Sequence, residues 1–446
     1  MRRALLFAAI ISFGTVFLDQ TAQAQVTYSD GQIHTISTVQ SSGTFTLTND
    51  STLDVGAGGS ITGGSSASPD GVDATSGTVN VNGGTVNGFV DSTGNTGTSY
   101  GIYAPGTSAV TVNSGSITGG NGKSYGEAIG GDLGALGTLN VCGGTITGGV
   151  GAGGTWAIHN LVVNMYGGVV SGGIWNGGGN SPMNLYGGTE TGQILNGGAI
   201  NIAGVTVTGS ASPLVESLLG NITIQSGNVG GDVWQLYGGT GEIVVTGGTV
   251  SGNVAALAGP LDVYAGCDIK KQVRGGGATT VHGGKIEGGI YTTAGTMNVY
   301  GGKSSATSMG IEAMGGTTNI YGSGFDYPSG QMTAASGTLT GKLANGDSIN
   351  TTFFVAGAGK VILHTLIPGD VNSDGLVDVA DYNIWAANVG KTDAGWSQGD
   401  LNGDGLVDVA DYNIWAANVG KTAGTPEPAT LALVVFGVSG ILGRRK

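Results

Sequence analysis

Between about Thr48 and Phe325 one short pattern recurs: an apolar residue, a polar one, a second apolar one, any residue, small residues that are usually glycine, then another apolar residue. Val79-Asn80-Val81-Asn82-Gly83-Gly84-Thr85-Val86, Leu139-Asn140-Val141-Cys142-Gly143-Gly144-Thr145-Ile146 and Met297-Asn298-Val299-Tyr300-Gly301-Gly302 are three of thirteen copies. The second apolar position is filled every time, by Val55, Val81, Val112, Val141, Met165, Leu185, Ile202, Ile224, Val245, Val263, Val281, Val299 and Ile320. The copies are 17 to 31 residues apart and settle at 18 to 22 in the second half. Alternation with period two predicts a strand with one buried face, and the glycines predict a bend where a side chain would collide. A unit of about twenty residues cannot bury that face alone, whereas a stack of such units can. The expectation is a mainly β chain whose residues 25–327 form a glycine-rich parallel β-solenoid (β-helix). Its thirteen apolar positions would make an interior ladder about 60 Å long at the ~4.8 Å strand spacing. A flexible Gly/Ser-rich chain would not keep thirteen apolar positions filled, and a sandwich or propeller would show paired hairpin spacing.

The same register sorts the other positions. The residue between the two apolar ones should face outward, and it is Asn80, Asn140, Asn164, Asn184, Asn201, Asn298 or Asn319 in seven copies, which suits an amide ladder. Two residues further lie Tyr166, Tyr186, Tyr264, Tyr300 and Tyr321, placed either to stack on one another or to stack on the sugar rings of a polysaccharide. Cys142 falls in the fourth copy and Cys267 in the tenth, so six rungs keep them ~29 Å apart, beyond the ~7 Å limit for a disulfide. After the last copy, residues 328–366 read as two or three strands with Asn345-Gly346 as a turn, a β cap for the exposed end of the stack.

Composition narrows the class. Glycine supplies 92 of 446 residues without a three-residue period, so collagen is excluded, and only 10% of residues are charged. The N-terminus carries Arg2 and Arg3, an apolar run from Ala4 to Leu18, and Ala22-Gln23-Ala24, the layout of a secretory signal over residues 1–24. Without that segment 13 basic residues face 28 acidic ones, a formal charge near −15 that disfavours nucleic acid as a partner. Between Gln25 and Lys360 there are eight basic residues, with Arg274 the sole arginine. The one charged concentration, Asp262, Asp268, Lys270, Lys271, Arg274, His282, Lys285 and Glu287, could hold a catalytic site of a polysaccharide-active enzyme, or be a solvated patch.

The chain ends its repeats with a different duplication. "GDVNSDGLVDVADYNIWAANVGKT" begins at Gly369 and "GDLNGDGLVDVADYNIWAANVGKT" at Gly399, differing at two of twenty-four positions. Each places oxygen donors at loop positions one, three, five, nine and twelve: Asp370, Asn372, Asp374, Asp378 and Asp381, then Asp400, Asn402, Asp404, Asp408 and Asp411. Gly375 and Gly405 stand at position six, where the chain must turn, and Leu376 and Leu406 at position seven, where only the backbone carbonyl is needed. This is the EF-hand loop pattern, hard oxygen ligands in the order that wraps Ca²⁺, so two calcium ions are expected. A short helix should follow each loop, with Val379, Tyr382, Ala386 and Val389 as its apolar stripe and Gly390 as its terminator. Pro368 and "KTDAGWSQ" precede the loops, so neither has an entering helix.

Loop plus exit helix, duplicated over residues 367–422, resembles a dockerin domain. The resemblance implies a small calcium-folded α module that binds a cohesin-type domain on another protein. Dockerin recognition positions ten and eleven often carry hydroxyls, and here they are Val379-Ala380 and Val409-Ala410, so metal binding carries over while partner specificity does not. Near-identical helices imply a two-fold module that a partner could engage in either orientation. The module could equally act within the chain, as a clasp on the rod.

Residues 423–446 hold Pro426-Glu427-Pro428, the apolar stretch "ATLALVVFGVSGILG" and Arg444-Arg445-Lys446. Fifteen helical residues reach about 22 Å, short of a ~30 Å hydrocarbon core. This tail resembles the PEP-CTERM sorting signal, which implies transient membrane insertion and processing by an exosortase-type enzyme. The sequence therefore reads as an exported, non-enzymatic cell-surface or extracellular-matrix protein. The alternative is a polysaccharide-degrading β-helix lyase or glycoside hydrolase assembled through its dockerin.

Overall fold

The computed structural model describes residues 25–422, apart from 42, 65–68, 91–96, 123–124, 133–136, 152–154, 178–180, 236–238 and 304–309. Segments 1–24 and 423–446, read above as export signal and sorting tail, lie outside the described residues. The fold is mainly β, and its strands pair almost entirely in parallel.

Successive coils superpose in three rows. In the first row Ile36, Val55, Val81, Val112, Val141, Met165 and Leu185 pair in direct succession. The row runs on without a break through Ile202, Ile224, Val245, Val263, Val281, Val299, Ile320 and Leu363. All thirteen positions expected to form an interior ladder do so, and each is buried. A second row carries Ile61, Val86, Ile117, Ile146, Val170, Glu190, Val207, Val229, Val250, Ile269 and Ile286. A third begins Phe45, Val72, Ile102, Ile129, Ile158, Ile174, Ile194 and continues to Ile311 and Phe353. The three rows face one another across a shared core. Full burial of such a side chain is worth about 1.5–3 kcal/mol, which is realised only when the coils above and below are in place.

The corners explain the glycine content. Gly115 has φ +91°, and a Cβ there would lie 2.2 Å from the Gly84 carbonyl oxygen of the coil below. Gly149 would bring its Cβ within 1.8 Å of the Gly120 oxygen. Backbone rests on backbone at these turns, and any side chain would push the coils apart. Outside, the expected amide ladder is present: Asn164 donates to Asn140 at 3.1 Å, Asn184 to Asn164 at 2.9 Å, Asn201 to Asn184 at 2.7 Å and Asn319 to Asn298 at 2.9 Å.

A hairpin of two strands, Ser336–Leu343 and Ser348–Val355, closes the end of the stack around the Asn345-Gly346 turn. Its second strand extends the third row and the next strand, Lys360–Thr365, extends the first, so the cap continues the core. Two helices follow, α1 (Val379–Asn388) and α2 (Val409–Asn418). Of their expected apolar stripe only Tyr382 is on the packed face, half-buried against Trp385, Tyr412 and Trp415, while Val379 is 66% exposed, Val389 55%, and Ala386 is exposed too. Ile384, Trp385, Ile414 and Trp415 turn inward instead. Each indole needs an acceptor when half-buried and finds one across the pair: Trp385 donates to the Asp408 carbonyl and Trp415 to the Asp378 carbonyl, both at 2.9 Å.

One residue breaks the apolar second row. Glu190 is fully buried between Val170 and Val207; its Oε1 accepts the Gly173 N–H at 3.2 Å, and its Oε2 has no partner among the described residues. Desolvation raises its pKa to about 8 against backbone hydrogen bonds that lower it. The folded chain therefore holds a proton that the unfolded chain has released above its ordinary carboxylate range. Its contribution to stability is complete below pH ~4.5 and declines as pH rises through about 8, by an amount on the order of a few kcal/mol. Glu190→Gln, which keeps the acceptor without the charge, is expected to flatten the fall in melting temperature between pH 5 and pH 9; an unchanged pH slope would contradict this.

The cysteines are unpaired, Cys142 exposed and Cys267 buried, as the six-coil separation requires. Burial pushes the Cys267 thiol up to about 12. Alkylation of the folded protein should modify Cys142 within minutes and Cys267 only after denaturation. Equal labelling of both would contradict the register.

Candidate metal centre

The acidic module is built as a near two-fold pair. Val377 N–H donates to Lys421 O and Val407 N–H to Lys391 O, while Gly390 and Gly420 return hydrogen bonds to Val407 and Val377. Leu376 bridges Thr422 and Leu406 bridges Thr392, so each loop lies beside the end of the other loop's helix.

Inside each loop the carboxylates organise the backbone. Asp370 accepts the N–H groups of Asp374 (3.1 Å) and Gly375 (2.9 Å), and Asp400 accepts those of Gly403 (2.8 Å), Asp404 (3.2 Å) and Gly405 (2.9 Å). Asp381 takes Val371 and Asn372 on one oxygen and Asp378 N–H on the other, and Asp411 repeats this with Leu401, Asn402 and Asp408. Asp378 and Asp408 cap their helices through Ala380 and Ala410 at 2.7 Å, so positions nine and twelve form a capping box. That second role was invisible in the loop pattern, although Asp three residues before Asp at a helix start is its signal. Asn372 donates to Asp374, and Asn402 to Asp404, at 2.9 Å. Gly375 and Gly405 turn the loops at φ +87° and +86°.

The expected side-chain donors of each loop lie along twelve residues of chain, Asp370 to Asp381 and Asp400 to Asp411. Asp370, Asp381, Asp400 and Asp411 are buried, yet no basic side chain pairs with any of them among the described residues. Desolvation and the neighbouring carboxylates, Asp381 for Asp370 and Asp411 for Asp400, push both up, Asp400 to about 7. Among the described residues no three His, Cys, Asp or Glu side chains converge closely enough to hold a metal ion, because these carboxylates face loop amides. The remaining donors of the pattern are amide and main-chain oxygens, Asn372, Asn402 and the carbonyls of Leu376 and Leu406.

The module does not stand free. Trp396, from a single 3₁₀ turn between the loops (Trp396–Gln398), donates to the Asp370 carbonyl at 3.0 Å and stacks on Tyr300 with centroids 6.1 Å apart. Leu366, Val371, Trp396, Leu401 and Ala344 form a small core against Tyr300 and Tyr321. Sequence reasoning did not find Trp396, which sits in a spacer without periodicity.

The aromatic row expected on the outer face is present in two parts. Tyr166 and Tyr186 stack at 5.4 Å and stay exposed. Tyr264, His282, Tyr300, Tyr321 and His364 stack in turn at 4.4, 6.3, 4.3 and 4.5 Å, and the module covers the beginning of this stripe. The charged concentration is dispersed by the coils: Lys270 pairs with Asp268 (2.8 Å) and Glu287 (3.0 Å), Lys285 with Glu287, and Arg274 lies over Tyr291 at 4.9 Å. Asp262 and His282 sit in another row, 3.8 Å apart. Lys270 and Lys285 thus share Asp268 and Glu287 on one face, while burial and the neighbouring Asp262 carboxylate push the Glu242 carboxyl up.

Comparison with protein-family models, with curated proteins and with solved structures finds no match to this chain.

Proposed function

We propose that the chain is an exported, non-enzymatic β-solenoid rod that carries a dockerin-like calcium module for docking a cohesin-type partner. Its tail would be a sorting signal for an exosortase-type enzyme at the surface of the producing cell. The observation that carries the reading is the pair of loops: four buried carboxylates without a cationic partner among the described residues, in two copies of one oxygen-donor order. Assembling like charges away from water is costly, and a bound divalent cation offsets that cost. Asp370, Asn372, Asp374, the Leu376 carbonyl, Asp378 and Asp381 would hold one Ca²⁺. Asp400, Asn402, Asp404, the Leu406 carbonyl, Asp408 and Asp411 would hold the second. The ion would supply positive charge and lock the loop; Gly375 and Gly405 supply the turn, and the helices present a partner surface. Exposed Val379, Ala380, Val409 and Ala410 lie at the start of those helices, where a protein partner could bury them.

Calorimetric titration of the full chain, first stripped with chelator, should reveal two Ca²⁺ ions per chain. Asp370→Ala should reduce this to one, and Asp370→Ala with Asp400→Ala should abolish binding, each lost ligand weakening its site by at least about tenfold. The calcium-loaded chain should retain a cohesin domain in a pull-down that chelator reverses. Absence of calcium binding would overturn the metal reading, and calcium binding without capture of any cohesin tested would overturn the docking reading.

A further inference from the structure

The two copies of the acidic segment differ only at Val371 against Leu401 and Ser373 against Gly403. The first pair is interchangeable in kind, since Val371 and Leu401 both sit in the small core beneath the module. The second pair is not. Ser373 has φ +59° and is exposed, whereas Gly403 has φ +75° and is buried against the coils. A Cβ on Gly403 would lie 2.2 Å from the His282 carbonyl oxygen and 2.8 Å from its carbon, both backbone atoms that cannot swing away. Ser373 takes up the same left-handed conformation at the matching loop position, so the loop itself accepts a serine. The glycine at position 403 therefore answers to the coils.

Neighbouring contacts agree. Ala265 N–H donates to the Gly403 carbonyl at 2.8 Å, a backbone hydrogen bond that ties a coil strand to the second loop. Gly405 lies on the Tyr264 ring, Gly395 on the His282 ring, and Trp396 on Tyr300 with ring planes 11° apart. We propose that the stripe of Tyr264, His282 and Tyr300 is a docking surface for this chain's own module, and that Gly403 is the residue that lets the second loop take the seat. The first loop, with Ser373 at the equivalent place, stays outward. The two-fold equivalence expected from the duplicated sequence is thereby broken in the full chain: an external partner reaches the helices and the first loop, while the coils occupy the second. The contacts of the seat come from Gly403, Gly405, Gly395 and Trp396, none of them an expected metal donor, so its test is separate from that of the calcium reading.

Hydrogen exchange of the full chain, resolved to single residues by mass spectrometry, reads the seat through the Ala265 amide. In the unmodified chain this amide should exchange slowly. Gly403→Ser should speed it at least about tenfold while the Leu401 and Asn402 amides, held by Asp411, keep their protection. Ser373→Gly should change none of the three. Should Gly403→Ser also release Leu401 and Asn402, Tyr300→Ala decides instead. It removes the ring under Trp396 from the coil side and should speed Ala265 by about threefold or more with the loop intact. Unchanged protection of Ala265 in Gly403→Ser with an intact loop, or in Tyr300→Ala, would overturn the proposal.

Discussion

Everything in this chain rests on the stacking of one coil's inward side chains on the next. A single coil offers only a few buried apolar residues, such as Ile222, Ile224, Val229 and Val233, and a great deal of glycine, whose ordering is entropically expensive. Only the continuous rows from Ile36 to Leu363 and from Phe45 to Phe353 turn those few residues into a core. The same constraint accounts for the glycines, because coils at strand spacing bring backbone turns within reach of one another, as at Gly115 and Gly149. It also accounts for the outer amide ladder, where each asparagine finds its partner one coil away.

The first row was legible in the sequence because period-two alternation followed by glycine marks it in every copy. The second row showed only as the last apolar residue of the pattern, as at Val86 and Ile146, and the third did not show, since its strands are often three residues long and surrounded by glycine: Ile174–Asn176 or Val233–Gln235 leave too few positions for a period to emerge. Glu190 was likewise hidden, because nothing local distinguishes a glutamate that faces the core from one that faces water. The loops were legible from donor spacing alone. The packed face of α1 and α2 was read correctly only at Tyr382, because their valines and alanines repeat at helical spacing while the other residues that turn inward are held by Trp385 and Trp415 bonding across the pair. That interaction belongs to the module as a dimer of repeats and has no signature within either one.

Placing the acidic module against the coils joins two features that the sequence leaves separate, the aromatic stripe and the duplicated loops. Aromatic rows on an exposed sheet suggest sugar binding, yet the stripe from Tyr264 onward has like rings on both sides and the module above it. Tyr166 and Tyr186, stacked on each other, are the exposed part of the row. Calcium, in the proposed function, would set the charge of the loops, and the coils would set which loop faces outward.

Electron spin distances measure the parallel register of the coils. Labels at Asn82→Cys and Gln225→Cys, in a Cys142→Ser background, lie six coils apart along the first row. A label on native Cys142 paired with Gln225→Cys spans four. At ~4.8 Å per coil the account predicts backbone separations near 29 Å and 19 Å. Broad distributions, or distances that do not scale with the number of coils, would contradict it.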